Sequence, residues 1–403
     1  MKTSTHWLAF ILCAISYLFG GTVSTLMSTY LPVAVPELLS ETVSEERLGE
    51  VGAYINAISL YGWMIGGLIF GIIADKIGRK KVLVIVTALY GLATLLIVIV
   101  PNWYLLCICR FFSGMGVGGV LLITTVYISE IWVEKTRPII VGILAIAFPV
   151  GIVTTGGLTV FFSEWRDAFW LGLIPLIDAV LIWVLLPESP KWQKSSEGTK
   201  TSYSTIFKPD YRKNLVAGSL IFGAVLIGLW GIFSWLPTWV QTLLPAGETG
   251  QKERGITMML LGIGGIVGGI FSGFLIRSFG NRKTLIITFS GLIIACGLLF
   301  LTNDEFEPIV YFETAFLSLF FGISQGSLSS YIPELFPTNI RATASGFCFN
   351  VGRFFTATAV FFVGTMVAFL GGFSNALLTF SIMFFIALMV SWLKPDDNKN
   401  YLQ

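Results

Sequence analysis

Four ionisable side chains stand inside stretches that are otherwise apolar: Arg110, Asp178, Glu313 and Arg353. If those stretches cross a bilayer, a charge at the centre costs about 2.5–3.5 kcal/mol, so each needs a partner or a task. A guanidinium carries a planar fork of donors that matches a carboxylate bidentately. Arg353, in Asn350-Val-Gly-Arg-Phe-Phe-Thr356, has the chemistry to hold an organic anion or to bond helix carbonyls. A buried carboxyl has the chemistry to carry a proton. Asp178 is the acid nearest in depth to Arg110, and it is expected either to pair with that arginine or to relay a proton. Glu313, a few residues into its stretch, is a second proton-carrying position or one that reaches water.

A second set of charges recurs. Gly71-Ile-Ile-Ala-Asp75-Lys-Ile-Gly78-Arg79-Lys80-Lys81 is echoed by Gly273-Phe-Leu-Ile-Arg277-Ser-Phe-Gly280-Asn281-Arg282-Lys283. Tyr127-Ile-Ser-Glu130 before Arg137 is echoed by Tyr331-Ile-Pro-Glu334 before Arg341, with Glu and Arg seven apart in both. Asp75 at a helix end is expected to meet Arg79 or a neighbouring helix terminus. Glu130, Arg137, Arg79 and Asp75 are expected to form one ion-pair cluster, with Glu188, Arg277, Glu334 and Arg341 as its further members.

The elements that hold these residues follow from composition. Of 403 residues, 55% are hydrophobic and 12% charged, where soluble domains carry about 25% charged. That excludes a disordered chain, a soluble enzyme and a nucleic-acid binder of the basic-patch kind, and a net charge of +2 gives no acidic polymer as partner. Twelve stretches reach the roughly 20 apolar residues a spanning helix needs: 7–33, 51–74, 81–100, 103–128, 138–162, 167–186, 214–244, 256–277, 284–302, 308–332, 343–368 and 371–393. The first is too long for a signal's apolar core and reads as a retained span. With the N-terminus inside, 19 Lys and Arg fall in cytoplasmic segments and 4 outside. The positive-inside rule then puts both termini in the cytoplasm. The longest polar stretch divides the chain into a six-helix bundle 1–186, a cytoplasmic linker 187–213 and a second bundle 214–403. The five cysteines read as buried small hydrophobes. His6 is the sole histidine, and no metal cluster, cofactor motif or nucleophile–base pair appears. The glycines Gly114 to Gly119 sit inside an apolar span and read as close helix packing, not as a dinucleotide loop.

These motifs resemble the major facilitator superfamily, and within it the sugar-porter and organic-ion branch. Arg110-Phe-Phe-Ser-Gly114-Met-Gly116-Val-Gly118-Gly119, Pro187-Glu188-Ser189-Pro190-Lys191-Trp192, Trp165-Arg166 and Glu334-Leu-Phe-Pro337-Thr338-Asn-Ile-Arg341-Ala-Thr343 carry that resemblance. It implies an all-α integral membrane fold of two six-helix bundles, acting by alternating access in the cell inner membrane. The charge clusters would then be a gate locking the cytoplasmic helix ends in one state. Helices one, four, seven and ten would line the cavity, so Thr22, Thr25, Trp230, Ser234, Trp235 and Gln325 join Arg110, Asn350 and Arg353 as substrate-binding positions.

The branch also narrows the substrate. Organic-anion carriers resembling this chain use an arginine at the place of Arg353. Proton-coupled sugar porters keep an acid in helix one opposite the arginine of helix four. Here Phe19-Gly20-Gly21-Thr22 stands in that place, and no acid occurs between Trp7 and Pro36. The expectation is a secondary transporter, not an enzyme, for a small organic anion of the monocarboxylate or aromatic-acid class. A proton is its co-transported ion, the lipid bilayer its surroundings, and the working form a monomer. A sugar porter or a facilitative uniporter is the alternative.

Overall fold

The structure is a computed structural model that describes residues 3–40, 43–194, 206–245, 247–337 and 340–393. Part of the linker (195–205), Thr338 and the basic residues Lys2, Lys200, Lys394 and Lys399 lie outside the described residues. Helices make up its regular structure: α1 (Thr3–Leu39), α2 (Glu45–Ile77), α3 (Arg79–Leu96), α4 (Trp103–Ile131), α5 (Arg137–Phe161), α6 (Trp165–Leu185) and α7 (Pro209–Thr242). The 51-residue helix Gln251–Leu301 follows. It turns at Gly280 (φ 78°, ψ 166°) into two limbs, α8 (251–279) and α9 (281–301). Then come α10 (Ile309–Glu334), α11 (Arg341–Phe361, continued after a 44° bend by Val363–Leu370) and α12 (Phe373–Leu393).

Ten of the described helices are long and apolar enough to span a membrane, eleven with the bent pair. Gly280 divides the longest in two, which gives the twelve spans read from the sequence. The chain is an all-α, multi-pass integral membrane protein.

Local chemistry sets the ends. Ser44 caps α2 by accepting from the Arg47 N–H at 3.3 Å, and Glu45 and Glu46 in the first turn complement the helix dipole. Asn102 caps α4 through the Leu105 N–H at 3.0 Å. Between α2 and α3 the chain turns at Gly78 with φ 113°, the left-handed side that glycine enters without strain. Gly280 does the same between α8 and α9, the equivalent place in the repeat.

The chain forms two compact units, 1–198 with 250–259, and 199–249 with 260–403. In the first, Gly62, Gly66, Gly114 and Gly118 bring α2 and α4 into backbone contact: a Cβ on Gly114 would strike the Ser59 carbonyl, and one on Gly118 that of Trp63. This is the small-residue packing read from the sequence, and it gives attraction where the lipid offers no hydrophobic drive. α1 and α5 cross at Gly21 and Gly151 in the same manner. The second unit repeats both pairings, α8 on α10 at Gly264 and Gly268, and α7 on α11 where Gly223 faces Gly352. The cysteines are all free, four buried and Cys109 half-buried.

Candidate functional site

The first repeat motif folds into a bonded network. The Arg79 guanidinium spans Asp75 at 2.7 Å and Glu130 at 3.1 Å. The other Glu130 oxygen accepts from the Ser189 hydroxyl at 2.5 Å. Glu188 does not pair with a side chain. One of its oxygens accepts the backbone N–H groups of Arg79, Lys80 and Ser189, each at 2.9 Å. Gly78 brings no capping side chain to α3, so Glu188 supplies the cap from the end of α6, where a carboxylate also meets the positive end of the helix dipole. A Cβ on Gly78 would occupy that carboxylate's place. Tyr127 donates to the Pro187 carbonyl at 2.7 Å and Trp192 to the Asp75 carbonyl at 3.0 Å. The Pro187–Trp192 motif is thus a staple from the end of α6 onto α2, α3 and α4.

Arg137 does not join this network as expected. Its ion pair is with Glu134 at 3.3 Å, because the chain turns sharply after α4 and sets the closer acid three residues away. Glu130 and Arg137 line one open hollow of about 310 Å³, with His6, Trp132 and Lys191 on its rim.

In the second unit the equivalent network is thinner. Asn281, in the place of Arg79, donates to Glu334 at 2.6 Å. Arg341 donates to the Phe336 carbonyl at 3.2 Å, and Arg277 is exposed with no ion pair among the described residues. The expected membership of Arg277 and Arg341 in an ion-pair cluster is therefore corrected: one faces water and the other bonds backbone. Arg282 holds the end of α12 through the Ser391 and Trp392 carbonyls at 3.2 and 2.5 Å.

Deeper in the membrane the expected Arg110–Asp178 pair is not formed. Arg110 is 2% exposed and donates to the carbonyls of Val23 at 2.8 Å and Ser24 at 3.4 Å, both on α1. An α1 that lacks an acid presents backbone oxygens instead. Asp178 accepts from the Ser16 hydroxyl of α1 at 2.5 Å. Glu313 accepts from Asn303 at 2.6 Å and fastens the α9–α10 turn.

Thr22 and Thr25 are corrected too. Thr22 donates to the Gly151 carbonyl at 3.0 Å, and Thr25 shares a hydrogen bond of 3.0 Å with Thr155, so both are buried in the α1–α5 crossing. Trp235 is fully buried against Phe373, ring centres 5.5 Å apart, and Ser234 is buried as well. The remaining candidates lie in the second unit and keep some access. Trp230 and Gln325 are half-buried, and the Gln325 amide nitrogen has no hydrogen-bond partner.

Arg353 shows the most telling environment. α11 has three faces. Cys348, Gly352 and Thr356 are buried, with Gly352 against Gly223 of α7. Phe354 and Phe355 are exposed. Thr343, Gly346, Asn350 and Arg353, spaced at one helical turn, form a third, half-buried and polar face. Arg353 donates to Asn350 at 3.5 Å along it. Arg353 is thus a half-buried cation on the polar face of a helix that is otherwise apolar.

The sequence reading missed several participants. Glu37 takes the Trp165 indole at 2.5 Å and the Arg166 guanidinium at 3.1 Å, while Arg166 lies 4.3 Å over the Trp165 ring. The Trp-Arg pair was visible in the sequence; its acid, 128 residues away from Trp165, carried no local signal. Ser16, Thr87 and Tyr90 around Asp178 gave none either, since hydroxyls in apolar helices are common.

A family model of the Major Facilitator Superfamily matches residues 13–359. The chain is 28% identical over 378 residues to the cis,cis-muconate transport protein of Acinetobacter baylyi, covering 90% of this chain and 88% of that one. It is 27% identical over 306 residues to the sialic acid transporter NanX of Escherichia coli, covering 74% and 73%. In fold it matches the xylose transporter XylE of E. coli in a partially occluded inward-open conformation, with a TM-score of 0.78 over 98% of this chain and 99% of that one at 17% identity.

Proposed function

The chain belongs to the major facilitator superfamily, and from that premise we propose that it is a secondary transporter of a small organic anion, a monocarboxylate or an aromatic acid. Members of the superfamily are transporters and not enzymes. The observation that carries the anion assignment is Arg353, on the half-buried polar face of α11 with Asn350 beside it. A guanidinium there binds a carboxylate through two parallel charge-assisted hydrogen bonds. The relatives named above for muconate and sialic acid support the same charge class. Trp230 and Gln325, also half-buried in the second unit, are the positions assigned to the rest of the substrate, a ring face and a polar substituent.

The mode of action in this reading is alternating access, with the bundles 1–186 and 214–403 as the alternating parts and 187–213 as the linker. In this reading both termini lie in the cytoplasm, which the excess of Lys and Arg in the corresponding segments supports, and the protein works as a monomer in the inner membrane. A monoanion entering alone works against an inside-negative potential at about 2.3 kcal/mol per 100 mV, so accumulation takes a co-transported proton or sodium ion, of which this reading takes the proton. The Asp75–Arg79–Glu130 network acts as the gate, made in one state and solvated in the other.

Counterflow in proteoliposomes against carboxylates, sugars and organic cations tests the assignment. Exchange with a carboxylate and none with a sugar or cation is expected. Exchange with a sugar alone would instead establish the sugar-porter reading.

A further inference from the structure

Asp178 sits where a charge is hardest to keep. Its side chain is 2% exposed, in the middle of α6, and it faces α1 and α3. Ser16 of α1, fully buried, donates to one carboxyl oxygen at 2.5 Å and shares a contact of 3.3 Å with the Thr87 hydroxyl of α3. Tyr90 of α3 donates to the Ser16 carbonyl at 3.0 Å. The second carboxyl oxygen is buried with no hydrogen-bond partner. The titratable groups that face it are Cys13 of α1 and Tyr90 of α3, both fully buried. No basic side chain among the described residues pairs with Asp178, and Arg110 is committed to α1 carbonyls.

A buried carboxylate without a cation costs several kcal/mol, and proteins avoid that by binding a proton. We propose that Asp178 is the carrier of the co-transported proton, in a pocket that Ser16, Thr87 and Tyr90 complete, and that it takes and releases this proton without Arg110 as its counter-ion. The proton occupies the partnerless oxygen, and the other oxygen keeps the Ser16 hydroxyl. Releasing it leaves a carboxylate that only water or further hydroxyl donors can satisfy. That requires α1 and α3 to part from α6, because the pocket as built has one donor on the carboxyl. Ser16 is the positioning residue, since it bonds the acid through its hydroxyl and Tyr90 through its carbonyl. Proton release is thereby tied to the position of α1, the helix to which Arg110, Thr22 and Thr25 are also fastened.

This inference rests on the transport reading, and the two separate in one experiment. Proteoliposomes are given a pH gradient, acid outside, and tested for accumulation and for counterflow. An electroneutral anion–proton symporter accumulates substrate about tenfold per pH unit. Asp178→Asn, close to the same size, is expected to abolish accumulation while counterflow continues. Infrared difference spectra of the wild-type protein should show a carboxyl C=O band that titrates with pH and is absent in Asp178→Asn. Ser16→Ala removes a donor to the carboxylate and should move the pH midpoint of uptake upward by about one unit, with Thr87→Val shifting it less. Undiminished accumulation in Asp178→Asn overturns the assignment, as does a titrating band that survives the substitution. Joint loss of counterflow and accumulation in both Asp178→Asn and Thr87→Val would make the acid a strut of the fold and overturn it also. Counterflow of a sugar instead of a carboxylate would sink the anion reading and leave the proton assignment standing.

Discussion

Arg110 and Arg353 stand in different units, each within a helix apolar enough to span a membrane, and the two are treated in opposite ways. Arg110 of the first is 2% exposed, with its guanidinium on two carbonyls of α1. Arg353 of the second is half-buried, on the polar face of α11, where it donates to Asn350. Neither is inherited from the repeat: the register that sets Arg137 against Arg341 sets Arg110 against Thr314 and Arg353 against Pro149. Both therefore have a task local to their own unit. The two repeated helix-end motifs differ in parallel, charged and many-bonded at Arg79, neutral and single-bonded at Asn281.

The largest expected effect is at Arg353. Arg353→Ala removes one partner of a hydrogen-bonded charge pair, about 2–5 kcal/mol, or at least about thirtyfold in affinity. Arg353→Lys keeps the charge without the fork and should fall between. Substrate titration by intrinsic tryptophan fluorescence, beside a thermal melt, checks both, with the melt little changed.

The comparison sharpens if Arg110 gives the reverse pattern. Arg110→Ala opens a cavity and strips two carbonyls of a donor, so the melting temperature in detergent should drop clearly. Arg110→Met, which replaces a buried charge by an apolar side chain of similar reach, should restore much of it. Substrate affinity should stay within about threefold in Arg110→Met, a change under 1 kcal/mol. A large affinity loss there with an unchanged melt would break the contrast.

Next come the networks around Arg79 and Asn281. Glu130→Gln loses its bond to Arg79 as an ion pair, about 1–2 kcal/mol, or five- to thirtyfold in state population. Labelling from outside, of single cysteines placed in α1 and α7, should fall accordingly. Glu334→Gln still accepts from Asn281 and should change labelling less than about threefold. Equal effects would show that charge is not what distinguishes the two ends. The smallest effect is at Glu188, where Gln keeps one acceptor oxygen for the α3 N–H groups. About 0.5–1 kcal/mol of cap and dipole energy is at stake, a shift of a few degrees in the melt.

Much of this architecture was legible because a membrane imposes simple rules. Twenty apolar residues make a span, and the repeated Gly78 and Gly280 mark the two equivalent turns. Where helix ends ran beyond the apolar stretch, as α2 does back to Glu45, polar first turns capped by Ser44 carried no hydropathy signal. The charged motifs were visible, but their wiring was not. Glu188 looked like an ion-pair member and is a helix cap. Arg137 looked like the partner of Glu130 and bonds Glu134. Arg110 and Asp178 looked like partners by depth, yet depth along a helix says nothing about which face a side chain takes. Thr22 and Thr25 looked open, and a glycine crossing with α5 consumed them.

The central claim is that Arg353 binds the substrate's anionic group. The most direct test sets one aromatic carboxylate against its uncharged primary amide in wild type and in Arg353→Ala, reading affinity by fluorescence titration in both. The account predicts that wild type prefers the carboxylate by at least about thirtyfold and that Arg353→Ala erases the preference by losing the acid and not the amide. An undiminished preference in a folded Arg353→Ala protein would contradict it.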